Sequence, residues 1–286
     1  MNILVTGATG FIGKHVINEL LKFKDIDIVT TGIENKDTIK NFNWNQKIEY
    51  IQCDLNQKRE NFFNFFRNPD ILIHLAWQGL PNYKELFHFE ENLPSNYNFI
   101  KNMIKNGLKN VSVIGTCLEY GFNQGCLSEE LISNPITSYG LAKDTLRKFI
   151  EQLKKKYNFI FKWIRLFYIY GIGQNPKSLF SQLKEAVDRK DDYFNMSGGE
   201  QLRDYLPVEK VGEYIVKISL QNKIQGIINC CSGNPISIRK LVEDYLNKRK
   251  YMIRLNLGYY PYPDYEPIAF WGNNNKLKKI INENKD

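Results

Sequence analysis

Long apolar runs are missing from this chain. No stretch approaches the ~18 residues that would span a membrane, and the N-terminus passes at once into an apolar strand pattern with no leader before it. The expectation is a cytoplasmic protein with no signal peptide and no membrane partner. Cysteine and histidine are scarce as well. Five cysteines (Cys53, Cys117, Cys126, Cys230 and Cys231) show no C-x-x-C spacing, and only 3 histidines accompany them, which argues against a metal site. Reduced, mostly buried thiols are expected instead. Repeats and low-complexity linkers are also lacking. Acidic residues are the minority charge: 31 Asp and Glu against 39 Lys and Arg leave a net charge of +8. The basic residues are spread in patches such as Lys154-Lys155-Lys156 and Lys276 to Lys279, on helices that need a solvated face. Nucleic-acid binding is therefore not expected, and a positive field would serve an anionic nucleotide equally well.

What is present is ample material for a core, 43% hydrophobic residues in a chain of 286. That length suits one α/β unit with a smaller appended lobe. Strand-like apolar runs recur at 27–31, 48–52, 70–75, 110–115 and 160–167, with helix-like segments around 37–43, 59–67, 85–105 and 139–156. Such alternation predicts a doubly wound parallel sheet with helices on both faces. Ligands then bind beyond the carboxyl ends of the strands, where His74, Ala76, Thr116 and residues 167–171 fall. From about Gln174 the pattern loosens. A helix at 179–188, a strand at 203–208, a helix at 210–220 and apolar runs at 227–230, 238–246 and 252–257 are expected to form the smaller lobe. The division is thus 1–173 for dinucleotide binding and 174–286 for substrate, with some elements exchanged between the two. The stretch P-Y-P-D-Y-E-P and the Lys/Asn-rich tail after it read as an irregular surface segment.

The chain opens M-N-I-L-V-T-G-A-T-G-F-I-G. A short apolar strand, three glycines and a helical apolar period make an anion site, with backbone N–H groups and the positive helix end facing a pyrophosphate. Gly7 lets the chain turn, Gly10 lets phosphates approach, and Gly13 lets helix and strand pack closely. The spacing is G-x-x-G-x-x-G rather than G-x-G-x-x-G. A second feature is Tyr139 and Lys143 in S-Y-G-L-A-K, four apart and so on one helix face. A phenol is a poor proton carrier near neutrality, and an adjacent ammonium is expected to pull its pKa down toward working pH. Alone, such a pair is also what chance places on many helices.

Together, T-G-A-T-G-F-I-G and Tyr139-x-x-x-Lys143 resemble the extended short-chain dehydrogenase/reductase family of nucleotide-sugar epimerases, dehydratases and reductases. Further segments match in order. His74-Leu75-Ala76 resembles the family's H-x-A turn, and Asn92 falls where its central helix carries an Asn near the active site. G-T-C-L-E-Y-G (115–121) resembles S-S-x-x-V-Y-G, R-L-F-Y-I-Y-G (165–171) resembles R-x-F-N-V-Y-G, and G-G-E-Q-L-R-D-Y-L-P-V (198–208) resembles G-x-x-x-R-D-F-x-x-V. The resemblance implies a Rossmann fold, a homodimer and a nucleotide-diphospho sugar substrate. It implies Thr116, Tyr139 and Lys143 as the catalytic set. Thr6, Gly7, Gly10, Phe11, Ile12, Gly13, Asp54, Leu55, Leu75, Ala76, Tyr139 and Lys143 would face the nicotinamide cofactor. Trp77, Asn92, Thr116, Tyr168 and Arg203 would face substrate, with Arg203 clamping its diphosphate.

Departures from the family pattern narrow the reaction. The Asp-Glu pair that follows the Ser/Thr in 4,6-dehydratases is here Cys117-Leu118, so dehydration is disfavoured. The Cys that abstracts a proton in GDP-fucose synthases would fall at Leu118, and Cys117 reads as structural. Reduction of a 4-keto-6-deoxy sugar nucleotide to its C4 alcohol is the expected activity, as in the similar CDP-abequose and CDP-paratose synthases of surface-polysaccharide biosynthesis. An NAD-dependent 4-epimerase is the alternative. A non-catalytic, nucleotide-sensing member would have lost Thr116, Tyr139 or Lys143, and all three are intact. The end of the second strand falls at Gly32, which lacks the Asp that binds a ribose 2′-hydroxyl, and Lys36 follows it, so NADP(H) is expected over NAD(H). Tyr168 replaces the family's Asn, which suggests a reshaped sugar pocket.

Overall fold

Along the apolar runs, successive side chains point to opposite faces, so each run can bury both faces only between two helical layers. A computed structural model of the chain, describing residues 1–39, 42, 44 and 48–283, has this arrangement. In chain order the elements are β1 (Asn2–Thr6), α1 (Phe11–Leu20), β2 (Asp27–Gly32), α2 (Lys36–Ile39), β3 (Ile48–Gln52), α3 (Phe62–Phe65) and β4 (Ile71–His74). A π-helical turn (His88–Asn92) leads into α4 (Leu93–Lys105), followed by β5 (Asn110–Thr116), a 3-10 turn (Cys117–Tyr120), β6 (Gly125–Leu127), α5 (Ser138–Lys154), β7 (Ile160–Leu166) and β8 (Tyr168–Tyr170). The last part holds α6 (Leu179–Arg189), β9 (Tyr193–Asn195), β10 (Leu202–Pro207), α7 (Val208–Leu220), β11 (Gly226–Cys230), β12 (Pro235–Ser237), α8 (Ile238–Arg249), β13 (Arg254–Asn256), β14 (Phe270–Gly272) and α9 (Asn275–Glu283).

Seven strands make a parallel sheet in the order β11-β7-β5-β4-β1-β2-β3. On one face Ile3, Val5, Ile73, Ile164 and Ile228 pack with Val16, Ile17, Ile215, Leu277 and Ile280 of α1, α7 and α9. On the other, Leu4, Leu72, Val111, Val113 and Trp163 pack with Phe62, Phe99, Met103, Leu146 and Ile150 of α3, α4 and α5. The chain crosses the sheet between β3 and β4, so the order reverses beside β1 and opens a crevice at the strand ends. The expected doubly wound Rossmann architecture is present. Among the described residues, no helix is long and apolar enough to cross a membrane.

Several elements differ from expectation. The run at 227–230 belongs to the seven-stranded sheet as β11, beside β7, rather than to a separate lobe. Helix α7 packs on α1 so closely that a Cβ at Gly212 would lie 2.8 Å from the His15 carbonyl carbon. The helix expected over 59–67 shrinks to Phe62–Phe65. Asn61 caps it by accepting from the Asn64 N–H at 2.9 Å, and Arg67 and Asn68 turn left-handed at φ 68° and 50°. The Lys/Asn-rich tail is not irregular, since α9 buries Leu277 and Ile280 and turns its lysines outward. Of the helix expected over 37–43, residues 40, 41 and 43 lie outside the described residues.

Candidate active site

Two adjoining cavities follow the carboxyl ends of the central strands and share Gly7, Gly10, Leu75 and Trp77. The first, of about 240 Å³, is lined by Thr9, Gly32, Glu34, Asp54, Leu55, Ala76 and Asn92 among others. The second, about 410 Å³, is lined by Phe11, Ile12, Gly13, Thr116, Tyr139, Lys143, Tyr168 and Glu266 among others. The glycine turn lies where they meet. Gly7 has φ +68°, and a Cβ there would meet the Ala76 nitrogen at 2.9 Å. A Cβ at Gly13 would come within 2.6 Å of Ala8 Cα. No other residue fits these two positions, and the amide end of α1 therefore faces the cavities with no side chain over it.

Thr6 lines neither cavity. Its hydroxyl accepts from the Ala76 N–H at 3.2 Å and meets His74 Nδ1 at 2.8 Å, tying the ends of β1 and β4 together. His74 Nε2 reaches Asn96 Oδ1 at 2.5 Å, and burial pushes the imidazole down to about 3, so it stays neutral.

The C-terminal end of β5 and the N-terminal half of α5 bring Thr116, Tyr139 and Lys143 to the second cavity. Thr137 caps α5 by accepting from the Gly140 N–H at 3.0 Å. Glu119, fully buried, accepts from the Thr116 N–H at 2.8 Å, from Trp163 Nε1 and from Arg165 Nε at 2.7 Å, which fixes Thr116 at the strand end. Lys143 donates to the Ile114 carbonyl at 2.8 Å, and its Nζ stands 3.9 Å from the centroid of the Trp77 ring. Burial lowers Lys143 to about 7, against an opposing pull from Glu119.

The phenol departs from expectation. Tyr139 is pushed up, chiefly by burial and then by Tyr83, Glu119 and Cys117, while the Thr116 hydroxyl opposes the shift. The lysine does not lower it here, because the ammonium turns to a carbonyl and an indole face and burial removes part of its charge. Cys117 is buried and also raised, a protonated thiol packed beside Tyr120 and Phe167.

Two further placements differ from the sequence reading. Arg203 is fully buried and lines neither cavity. Its guanidinium donates to Glu266 at 3.0 Å and to the Leu202 and Ile268 carbonyls at 2.9 and 3.1 Å, and its Nε is buried without a partner, so in this structure the group is not presented to either cavity. A carboxylate nevertheless stands beside Gly32, that of Glu34. Its Oε1 accepts from Thr9 at 2.9 Å, and its Oε2, buried and without a partner, occupies the space that a Cβ on Gly32 would fill. The Lys36 side chain lies outside the described residues. Sequence reasoning did not single out Glu34 as a lining residue of the first cavity, although it stands two residues past the strand end. It also missed Tyr83, whose ring lies 5.6 Å from that of Tyr139, and Glu266, for which no local signal existed.

A model of the NAD dependent epimerase/dehydratase family matches residues 3–231. The chain belongs to that family. The dTDP-6-deoxy-L-talose 4-dehydrogenase (NAD(+)) of Aggregatibacter actinomycetemcomitans is 32% identical over 278 residues, covering 95% of this chain and 99% of the relative. The dTDP-4-dehydro-6-deoxyglucose reductase of Escherichia coli is 27% identical over 265 residues, 86% of this chain and 82% of the relative. Among solved structures, the UDP-glucuronic acid 4-epimerase of Bacillus cereus, in complex with UDP-glucuronic acid and NAD, superposes with a TM-score of 0.85 at 22% identity, covering 99% of this chain and 93% of the other. This family member is accordingly a nicotinamide-dependent oxidoreductase of nucleotide sugars.

Proposed function

We propose that the enzyme reduces the C4 ketone of a nucleoside-diphospho-6-deoxyhexose to the alcohol, and runs the reverse oxidation, with NAD(H) as its cofactor. The observation that carries this reading is the gathering of Thr116, Tyr139 and Lys143 at one cavity in which Glu266 is the single carboxylate among the described lining residues. Elimination of water needs an acid and a base at positions 117 and 118, where a protonated thiol and a leucine stand. Glu266 is committed to Tyr168 and to Arg203. The 32% identical 4-dehydrogenase supports both the C4 position and the 6-deoxy sugar.

The chain's own residues fit a dinucleotide. The bare amide end of α1 suits a pyrophosphate, and the unpartnered Glu34 oxygen suits a ribose hydroxyl. NAD(H) therefore replaces the expected NADP(H), since a 2′-phosphate would meet the Glu34 carboxylate. When bound, the nicotinamide supplies the hydride in one direction and accepts it in the other. In reduction Tyr139, held protonated by burial, gives its proton to the oxygen that develops at C4, and Thr116 donates a hydrogen bond to the same oxygen; in oxidation the tyrosinate takes the proton of the C4 hydroxyl back. Lys143, lowered toward neutrality by burial, places a cation in the same buried cavity. Arg203 acts by holding Glu266 and Tyr168 in place rather than by touching phosphate.

The test is turnover of a panel of 4-keto and 4-hydroxy 6-deoxyhexose nucleotides, followed by absorbance of the reduced nicotinamide and proton NMR of the product. Stoichiometric change in NADH with one C4 alcohol is expected. Interconversion of C4 epimers with no net change in cofactor would overturn the reading in favour of a 4-epimerase.

A further inference from the structure

The second cavity contains one charged group that the reaction above does not use. Glu266 arrives from the irregular segment 261–267, between Pro263 and Pro267, and lines the cavity together with Leu80, Pro81, Tyr83, Leu118, Phe167 and Tyr168 among others. The segment is held over the cavity from outside. Lys84 pairs with Asp264 at 2.8 Å, and the Tyr83 and Tyr265 rings lie 6.0 Å apart. From behind, Tyr168 donates its phenol to Oε1 and Arg203 donates to Oε2 at 3.0 Å.

An ionised carboxylate offers about four lone-pair sites, and these two donors fill two of them. A carboxylate brought to an apolar cavity wall is costly unless its remaining acceptor capacity is used. Three features of the fold converge on keeping this one in place: a fully buried arginine, a tyrosine that donates to it, and an external ion pair on the strap. A hydroxyl donor entering the cavity would meet the unfilled lone pairs.

Resting on the hexose reading above, we propose that Glu266 reads the sugar: its carboxylate accepts a hydrogen bond from a ring hydroxyl other than the one at the reacting carbon. Arg203 and Tyr168 are positioning residues that hold the carboxylate at the wall. The recognised ligand class is a neutral hexose with a hydroxyl donor within reach of Glu266 when its C4 lies at Tyr139 and Thr116.

The experiment compares wild type, Glu266→Gln and Glu266→Asp in saturating NAD(H), with dTDP-6-deoxy-L-talose, its 2-deoxy and 3-deoxy analogues, and dTDP alone. Binding is measured by calorimetry and turnover as kcat/KM. Glutamine keeps one acceptor oxygen, enough for either Tyr168 or Arg203 but not for both, and removes the charge. Aspartate keeps the charge beside Arg203 and withdraws it from the cavity, so the test survives if one variant fails to fold. Wild type is expected to lose roughly 10- to 100-fold on one of the two deoxy analogues. In the variants that loss shrinks to within about 3-fold, while the affinities for dTDP and NAD(H) stay unchanged. If wild type turns over the hexose but is indifferent to both deoxy positions, or if the loss persists undiminished in both variants, Glu266 is not the reader. If wild type gains no affinity over the parent nucleoside diphosphate from any member of the 6-deoxyhexose panel, the C4 reading fails and takes this assignment with it.

Discussion

Replacing Glu34 by alanine should move the enzyme from NAD(H) toward NADP(H). The carboxylate stands over Gly32 at the first cavity, with Oε1 on Thr9 and Oε2 unpartnered. Two contributions change together. For NAD(H), a ribose hydroxyl donating to an ionised acceptor is worth about 1.5 kcal/mol, or roughly 10-fold in affinity. For NADP(H), a unit of phosphate charge ~5 Å from the carboxylate costs about 3 kcal/mol at an effective dielectric near 20. The cavity opens to solvent, so screening reduces that to about 2 kcal/mol, roughly 30-fold. The ratio of kcat/KM for the two cofactors should therefore fall by roughly 10²–10³ in Glu34→Ala. Tyr50 bonds the Glu34 backbone carbonyl rather than the side chain, at 2.7 Å, so the loop keeps its anchor. Calorimetric titration of both cofactors gives the same ratio without any sugar substrate. A wild type that binds NADPH as tightly as NADH, or a ratio shifted less than about 3-fold, would refute the Glu34 reasoning.

Tyr139→Phe should lower kcat by roughly 10²–10⁴ and leave NAD(H) affinity nearly unchanged, since the phenol acts on the proton and not on the dinucleotide. A Phe variant that retains half of wild-type turnover sinks this role. Lys143 gives a pH test of stability. Its folded value of about 7 lies below the ordinary 10.5, so across that window the unfolded chain holds the extra proton and wild-type stability rises with pH. Lys143→Met lacks this dependence: its unfolding free energy relative to wild type should be greatest at pH 7 and below, and should decline toward pH 10. A difference that stays flat from pH 7 to 10 contradicts the buried, depressed lysine.

Legibility in the sequence followed distance along the chain. The glycine turn and the Tyr139/Lys143 pair were readable because their geometry is set within a turn or two of backbone. The first cavity was half readable. Counting to the strand end found Gly32 correctly, but the Glu34 carboxylate beside it is brought back by the fold of the β2–α2 loop. Arg203 was misread because a strand residue has two faces, and the pairing of β10 with β8 and β12 turned this one inward. Glu266 was invisible, since a segment punctuated by prolines has no periodicity from which to infer a destination almost a hundred residues away. The tail helix α9 was hidden by composition, two apolar residues per turn-pair among lysines and asparagines.

The position of β11 has a consequence for synthesis. When the ribosome has finished β7, six of the seven strands have been made and can pair, yet the outer side of β7 is a bare row of amides and carbonyls. Its cover, β11, is still about sixty residues away, or roughly 3–12 s at 5–20 residues per second. Helix α7, which seals α1, emerges only just before it. During that interval the nascent chain presents an apolar, unpaired strand edge to its neighbours, so pausing or truncation in the region between β8 and β11 should convert this protein into aggregate rather than into a smaller dinucleotide-binding domain.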